Sequence, residues 1–283
     1  MAVALPRFRK CVQSTDVRQT PRTDDARILI VTPAHNEGQN LVQLHSRFAA
    51  ALVSTRWCWL VVDDCSDDDT FTTAGALARR DERVACIRLA TRVGTHAAIL
   101  AALRLASGWP FAAVVVLGSD LEDPPEALPD LISAWRRGAD VVFAARTRRT
   151  GVPLLHRTIG RMIHSTVRLV LPGSGYPWCG TDLGVFGRCV LSLLGADPRP
   201  VGNVFVRIAR LRLTSAVMPL AKNKKPYGWS VRQARSLARF AATTIAEACG
   251  LSVFACRQLP SVTATLGWAA GISNEAAVNG RRM

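Results

Sequence analysis

A chain of 283 residues with 49% hydrophobic side chains carries enough apolar surface for a substantial α/β core, which excludes a disordered or miniature protein. A formal charge of +15 calls for an anionic partner, whether nucleic acid, a phosphorylated substrate or an anionic lipid surface. The eight cysteines include no Cys-x-x-Cys pair, so reduced thiols are expected rather than a zinc site or a disulfide framework.

Residues 1–26 are polar and basic without periodicity and read as a mobile tail. Arg27 to Thr32 is an apolar strand that stops at Pro33-Ala34-His35-Asn36-Glu37-Gly38. Leu41, Leu44, Phe48 and Leu52 then recur at helical spacing. A second strand, Trp57 to Val62, closes on Asp63-Asp64-Cys65-Ser66-Asp67-Asp68-Asp69-Thr70 and gives way to an alanine-rich helix ending at Arg80. Val84 to Leu89 is a third strand and Gly94 to Ala106 a third helix. This alternation predicts right-handed crossovers and a Rossmann-like, three-layer, mostly parallel sheet. Val114 to Leu117 is the next strand, and it ends in Gly118-Ser119-Asp120-Leu121-Glu122-Asp123. Ligands of open α/β sheets bind beyond the carboxyl ends of the strands, so Asp120, Glu122 and Asp123 stand where a cation and a phosphorylated ligand would be held. A helix from Pro124 to about Arg137 follows. The strand Asp140 to Ala145 then delivers Arg146, Arg148 and Arg149, whose guanidinium groups suit phosphate oxygens.

Beyond Thr150, Leu154 to Leu171 has helical spacing, and the loop Pro172 to Pro177 leads into Trp178-Cys179-Gly180-Thr181-Asp182. Lys222 to Ser230 is a basic loop. Trp229 to Glu247 reads as a basic amphipathic helix with Arg232, Arg235 and Arg239 on its polar side. Such a helix fits an anionic membrane surface, and it equally fits packing on the domain. Leu251 to Ile272 is interrupted by Arg257 and Pro260 and is not expected to span a membrane.

Four segments, ILIVTPAHNEGQNL, WLVVDDCSDDDT, GTHAAILAALRLASG and LGSDLEDPPEALPDLISAWRRGADVVFAARTRR, resemble in order and spacing the family 2 inverting glycosyltransferases of GT-A fold. Among these the chain looks most like the polyprenyl-phosphate (dolichol-phosphate) sugar transferases, over roughly residues 27 to 245. The resemblance implies that Pro33, Asn36, Glu37, Asp63 and Asp64 surround the base and ribose of a nucleotide-diphosphate sugar. It implies that Asp120 holds the diphosphate through Mg²⁺ or Mn²⁺, with Glu122, where glutamine is common in the subgroup, restoring a second carboxylate to the metal, that Arg146, Arg149 and Lys222 meet the donor, and that Asp182 acts as base or orients acceptor and metal. Three departures stand out. Gly118-Ser119-Asp120 replaces the usual Asp-x-Asp, Thr91-Arg92 replaces an Arg-Asn pair, and only Asp182 and Arg188 survive of an Asp-Phe-Arg-Leu-like segment.

The organisation expected is a tail over 1–26, a GT-A domain over 27–228 and an amphipathic helical segment over 229–283. The implied partners are a nucleotide-diphosphate sugar, a polyprenyl phosphate or other lipid-linked acceptor, and an anionic membrane surface at the cytoplasmic face of the plasma membrane. A homo-oligomer is compatible with the sequence. A glycan hydroxyl acceptor, or a catalytically silent nucleotide- or membrane-binding homologue, would leave the same motifs. Nucleic acid is set aside, since no aromatic-basic interleaving accompanies the charge.

Overall fold

The computed structural model describes residues 22–148, 154–197, 202–223, 232–250 and 261–267. Its first half alternates strand and helix as the periodicity predicts: β1 (Ile28–Ala34), α1 (Gly38–Ala51), β2 (Trp57–Asp63), α2 (Thr70–Arg80), β3 (Val84–Leu89), α3 (Thr95–Ser107), β4 (Ala113–Val116) and α4 (Leu128–Arg136). The second half comprises β5 (Val141–Arg148), α5 (Leu154–Val170), β6 (Gly184–Gly187), α6 (Arg188–Ala196), α7 (Val204–Arg210), β7 (Ser215–Ala221), α8 (Arg232–Ala248) and β8 (Val262–Gly267).

Among the described residues the strands form one sheet in the order β7-β5-β6-β4-β1-β2-β3-β8. Strands β1 to β4 are mutually parallel, whereas β6 runs antiparallel to both β4 and β5, and β8 antiparallel to β3. Because β6 is reversed between them, β5 points the same way as β4, and β7 pairs parallel to β5. One edge of the sheet therefore gathers the carboxyl ends of β1, β2, β4, β5 and β7 together with the residues just before β6. That geometry decides which side chains can meet.

Side chains alternate across the sheet, so each strand feeds two cores. Leu29 and Val31 pack with α3, α6 and α7, while Ile28 and Ile30 pack with α1, α2 and α4. Pro33 is tolerated inside β1 because β4 pairs only with Ile28 to Val31, which leaves no sheet partner on that side for the missing N–H.

Two boundaries differ from expectation. Residues 22–26, counted with the tail, lie against the domain: Arg22 donates to the carbonyls of Trp135 (3.0 Å) and Ala139 (3.1 Å) and pairs with Asp140 at 2.5 Å, and Ala26 is buried. The segment expected to be helical over 229–283 also supplies β8, whose Val-Thr-Ala-Thr-Leu sequence suits an edge strand. Helix α8 packs against α5 and α7. It is fixed there by a buried pair in which Arg207 donates to Glu247 at 2.8 and 3.0 Å, while Glu247 also accepts the Gly202 amide at 2.9 Å. The side chains of Arg232, Arg235 and Arg239 and the loop 224–231 lie outside the described residues. No helix among the described residues is long and apolar enough to cross a membrane.

Candidate active site

At the ends of β1 and β2 the acids are committed to main-chain amides. Asp64 is buried, and its two carboxylate oxygens accept from the backbone N–H groups of Val93 and Gly94, each at 2.8 Å. Gly94 takes φ +90°, so the carboxylate clamps a turn whose backbone suits glycine. Asp63 is fully buried. Its Oδ1 accepts from Ser66 N at 3.1 Å, while its Oδ2 makes no hydrogen bond and lies 3.5 Å from Arg88 Nε. Asn36 sits in the left-handed region at φ 58° and ties the two strand ends together, its amide donating to Ser66 Oγ (3.1 Å) and its Oδ1 accepting from Asp67 N (2.9 Å). Glu37 donates its amide to Thr70 Oγ1 at 2.9 Å. Asn36 and Glu37 remain partly open at the surface, whereas Pro33, Asp63 and Asp64 stand behind them.

At the end of β4 the chain turns sharply. Leu121 adopts φ 59°, uncommon for a non-glycine residue, and Asp120 Oδ1 accepts the Glu122 amide at 3.2 Å to hold that turn. The turn is locked from β7: Asn223 N donates to the Glu122 carbonyl at 2.8 Å, and its side-chain amide donates to the Leu121 carbonyl at 3.2 Å.

Lys222, the first residue after β7, is nearly buried, and its ammonium lies among three carboxylates. It is 3.1 Å from Asp123, 3.3 Å from Asp182 and 3.5 Å from Glu122. Arg146, largely buried on β5, pairs with the same Asp182 oxygen. Burial pushes the Asp123 carboxyl above its ordinary range, and Lys222 pulls it back. Among the described residues, Asp120, Glu122, Asp123 and Asp182 gather at this edge with Arg146 and Lys222, four carboxylates beside two cations.

Sequence reasoning thus places Asp120, Glu122, Arg146, Asp182 and Lys222 at one edge, and the structure brings the last four into direct contact. Arg149 lies outside the described residues. Arg188 does not join them, because the four residues of β6 carry the chain away from that edge and its guanidinium bonds the Trp109 carbonyl. Asp123, expected beside a cation with Asp120 and Glu122, meets Lys222. Asn223, which locks the turn, carries no sequence signal.

Among the described residues no group of three or more His, Cys, Asp and Glu side chains is disposed to hold a metal alone. The chemistry of the donor set nevertheless suits a hard cation. Asp120 and Glu122 offer carboxylate oxygens, and a hard divalent ion held by one or two carboxylates takes its remaining oxygens from phosphates and water.

Residues 29–174 match the family described as Glycosyl transferase family 2. The chain is 32% identical over 150 residues to dolichol-phosphate mannosyltransferase of Pyrococcus furiosus, covering 52% of this chain and 42% of that protein. It is 32% identical over 145 residues to an undecaprenyl-phosphate 4-deoxy-4-formamido-L-arabinose transferase of Yersinia enterocolitica, covering 50% of this chain and 43% of the relative. The match therefore spans less than half the length of either relative. Among solved structures, glucosyl-3-phosphoglycerate synthase of Mycobacterium tuberculosis, in complex with Mn²⁺, UDP and glucosyl-3-phosphoglycerate, superposes with a TM-score of 0.60 over 80% of this chain and 81% of that one at 18% identity, a likeness of fold.

Proposed function

The chain belongs to glycosyl transferase family 2, and on that premise we propose that it transfers a sugar, with inversion, from a nucleotide-diphosphate sugar to a polyprenyl phosphate presented at a membrane surface. The observation that carries the reading is the convergence of Asp120 and Glu122 with Arg146, Lys222 and Asp182 on the edge where ligands of such sheets bind. The acceptor class follows the two relatives whose names specify a polyprenyl phosphate.

In this reading Asn36 and Glu37 border the nucleoside. Asp63, buried behind them, keeps its second carboxylate oxygen toward Arg88, and Asp64 holds the Val93-Gly94 turn in place. Asp120 and Glu122 would hold Mg²⁺ or Mn²⁺, which when bound neutralises the diphosphate and its developing leaving-group charge. For Glu122 to turn toward that ion it must leave Lys222, whose ammonium then becomes available to a phosphate oxygen.

Asp182 orients rather than deprotonates. Its Oδ2 is engaged by both Arg146 and Lys222, so a proton delivered there would disrupt two ion pairs. A phosphate acceptor is already an anionic nucleophile and needs positioning and charge neutralisation, not a base. Arg146 is placed to move from Asp182 to that acceptor phosphate.

The decisive experiment incubates the protein with a panel of nucleotide sugars and Mn²⁺ and follows nucleoside diphosphate release with and without polyprenyl phosphate in detergent. Release that depends on polyprenyl phosphate, and that is lost in Asp120→Ala, is expected. Release that is indifferent to the lipid, or an Asp120→Ala variant that keeps metal-dependent nucleotide binding by calorimetry, would overturn the acceptor or the metal assignment respectively.

A further inference from the structure

Large apolar side chains left exposed are mostly scattered, yet four of the nine among the described residues stand together. They are Met162 (65% exposed), Leu169 (73%) and Val170 on α5, and Trp178 on the loop that follows it. Positions 162 and 169 are two turns apart and lie on one stripe, with Thr158, Ser165 and Thr166 beside them. The opposite stripe, Ile163, Val167 and Leu171, is buried, and His164 stacks edge-on against Phe240 of α8, so the exposed stripe is held outward. Arg161 lies exposed at its margin. Arg168 lays its guanidinium over the Trp178 ring at 4.7 Å and donates to the Tyr176 carbonyl at 3.1 Å.

The charge on this part of the chain has one sign. From Val141 to Thr181 there are six arginines and no acidic residue. An apolar stripe with small hydroxyls, an indole and a cationic margin is the make-up of a helix that lies in the headgroup–acyl boundary of an anionic bilayer. Helix α8, by contrast, turns its Glu247 end inward onto Arg207.

We propose that the outer face of α5, together with Trp178, is the surface on which the protein lies against an anionic bilayer. Met162, Leu169, Val170 and Trp178 enter the boundary, and Arg161 and Arg168 meet lipid phosphates. The inference deepens the lipid-phosphate reading and rests on it only for its purpose: Trp178 precedes Asp182 by four residues, so seating this face brings the acceptor side of the charged edge to the headgroups.

The test uses the full chain and vesicles of phosphatidylcholine with phosphatidylglycerol but without polyprenyl phosphate, so that partition is read independently of glycosyl transfer. The parent should cosediment at low salt and release as salt rises. The triple variant Met162→Ser, Leu169→Ser, Trp178→Ala should lose partition by about tenfold or more, since each apolar side chain withdrawn from the boundary forfeits its burial. It should do so with an unchanged thermal unfolding midpoint. The control Val42→Ser, Val53→Ser removes equally exposed apolar groups elsewhere and should bind as the parent does. A parent that ignores these vesicles overturns the proposal. So does a triple variant that partitions normally, or one that instead dissociates a dimer. Loss of transfer to polyprenyl phosphate in detergent would fault the acceptor reading and leave the vesicle result standing.

Discussion

The two ends of the ligand-facing edge fix their charges by different means. Beside β1 and β2, carboxylates are held by main-chain amides: Asp64 at both oxygens by Val93 and Gly94, Asp63 at one oxygen by Ser66, and Asp68 by Gly38 and Thr70. Beside β5, β6 and β7 the charges are held by one another, Lys222 by Glu122, Asp123 and Asp182, and Arg146 by Asp182. Amide-held carboxylates stay put when a ligand arrives, because backbone groups have nowhere to go. Ion pairs between side chains can be exchanged for the charges of a phosphate or a cation at little net cost. The first region is a preformed wall, and the second is suited to reorganise.

The largest expected effect tests side-chain pairing where it is buried away from that edge, between α7 and α8. Glu247→Gln strips a counter-charge from buried Arg207, which also lies 3.8 Å from Asp197, and should cost about 3 kcal/mol in urea unfolding. A loss below about 1 kcal/mol would mean that α8 is held by packing alone.

The next effect probes the seam between the regions. His96, at the start of α3, places its ring 6.2 Å from Phe205 of α7 and 6.3 Å from Phe240 of α8, and its Nδ1 is cut off from solvent without a hydrogen-bond partner. Burial pushes its pKa down from 6.5 to about 4, against a small opposing pull from Glu247. A base with a depressed folded-state pKa is stabilising while neutral. That contribution is complete above 6.5 and is lost as pH falls from there toward about 4, amounting to about 3 kcal/mol. Unfolding free energies measured for the parent and for His96→Phe should diverge over this window. Parallel curves would show that the ring protonates freely.

The smallest effect concerns the acid that the β4 turn lacks. A Cβ at Gly118 would lie 3.5 Å from Asp120 Oδ1, an ordinary contact, so Gly118→Asp fits. It should tighten Mn²⁺-dependent binding of UDP by several-fold, or about 1 kcal/mol, by calorimetry. Unchanged affinity would indicate that position 118 faces away from the ion.

Much of the first region was legible in the sequence. Strands β1 to β4 are short apolar runs ended by acidic or glycine-containing turns, and each is followed by a helix whose apolar spacing is local, so the parallel, three-layer sheet followed from neighbouring residues. The acids at 63, 64, 120 and 122 were legible for the same reason: a strand end places its next residues at the edge whatever the rest of the chain does. What those acids bind was not legible, because Asp64 meets Val93 and Gly94 only after α2 and β3 have returned the chain.

The second region resisted reading because its elements are defined by distant partners. Strand β6 is four residues, Gly-Val-Phe-Gly, and becomes a strand by inserting antiparallel between β4 and β5. Strand β7 alternates weakly, and β8 lies in a stretch that composition left open. The sequence by itself determined the strand-turn-helix order, the sign of the charge and the acids at the strand ends, since these rest on periodicities of two and 3.6 residues within short windows. Only the tertiary structure decided that Lys222 would sit among Glu122, Asp123 and Asp182. That cluster joins residues 40 to 100 positions apart, and it forms because one reversed strand turns the ends of β4, β5 and β7 to the same edge.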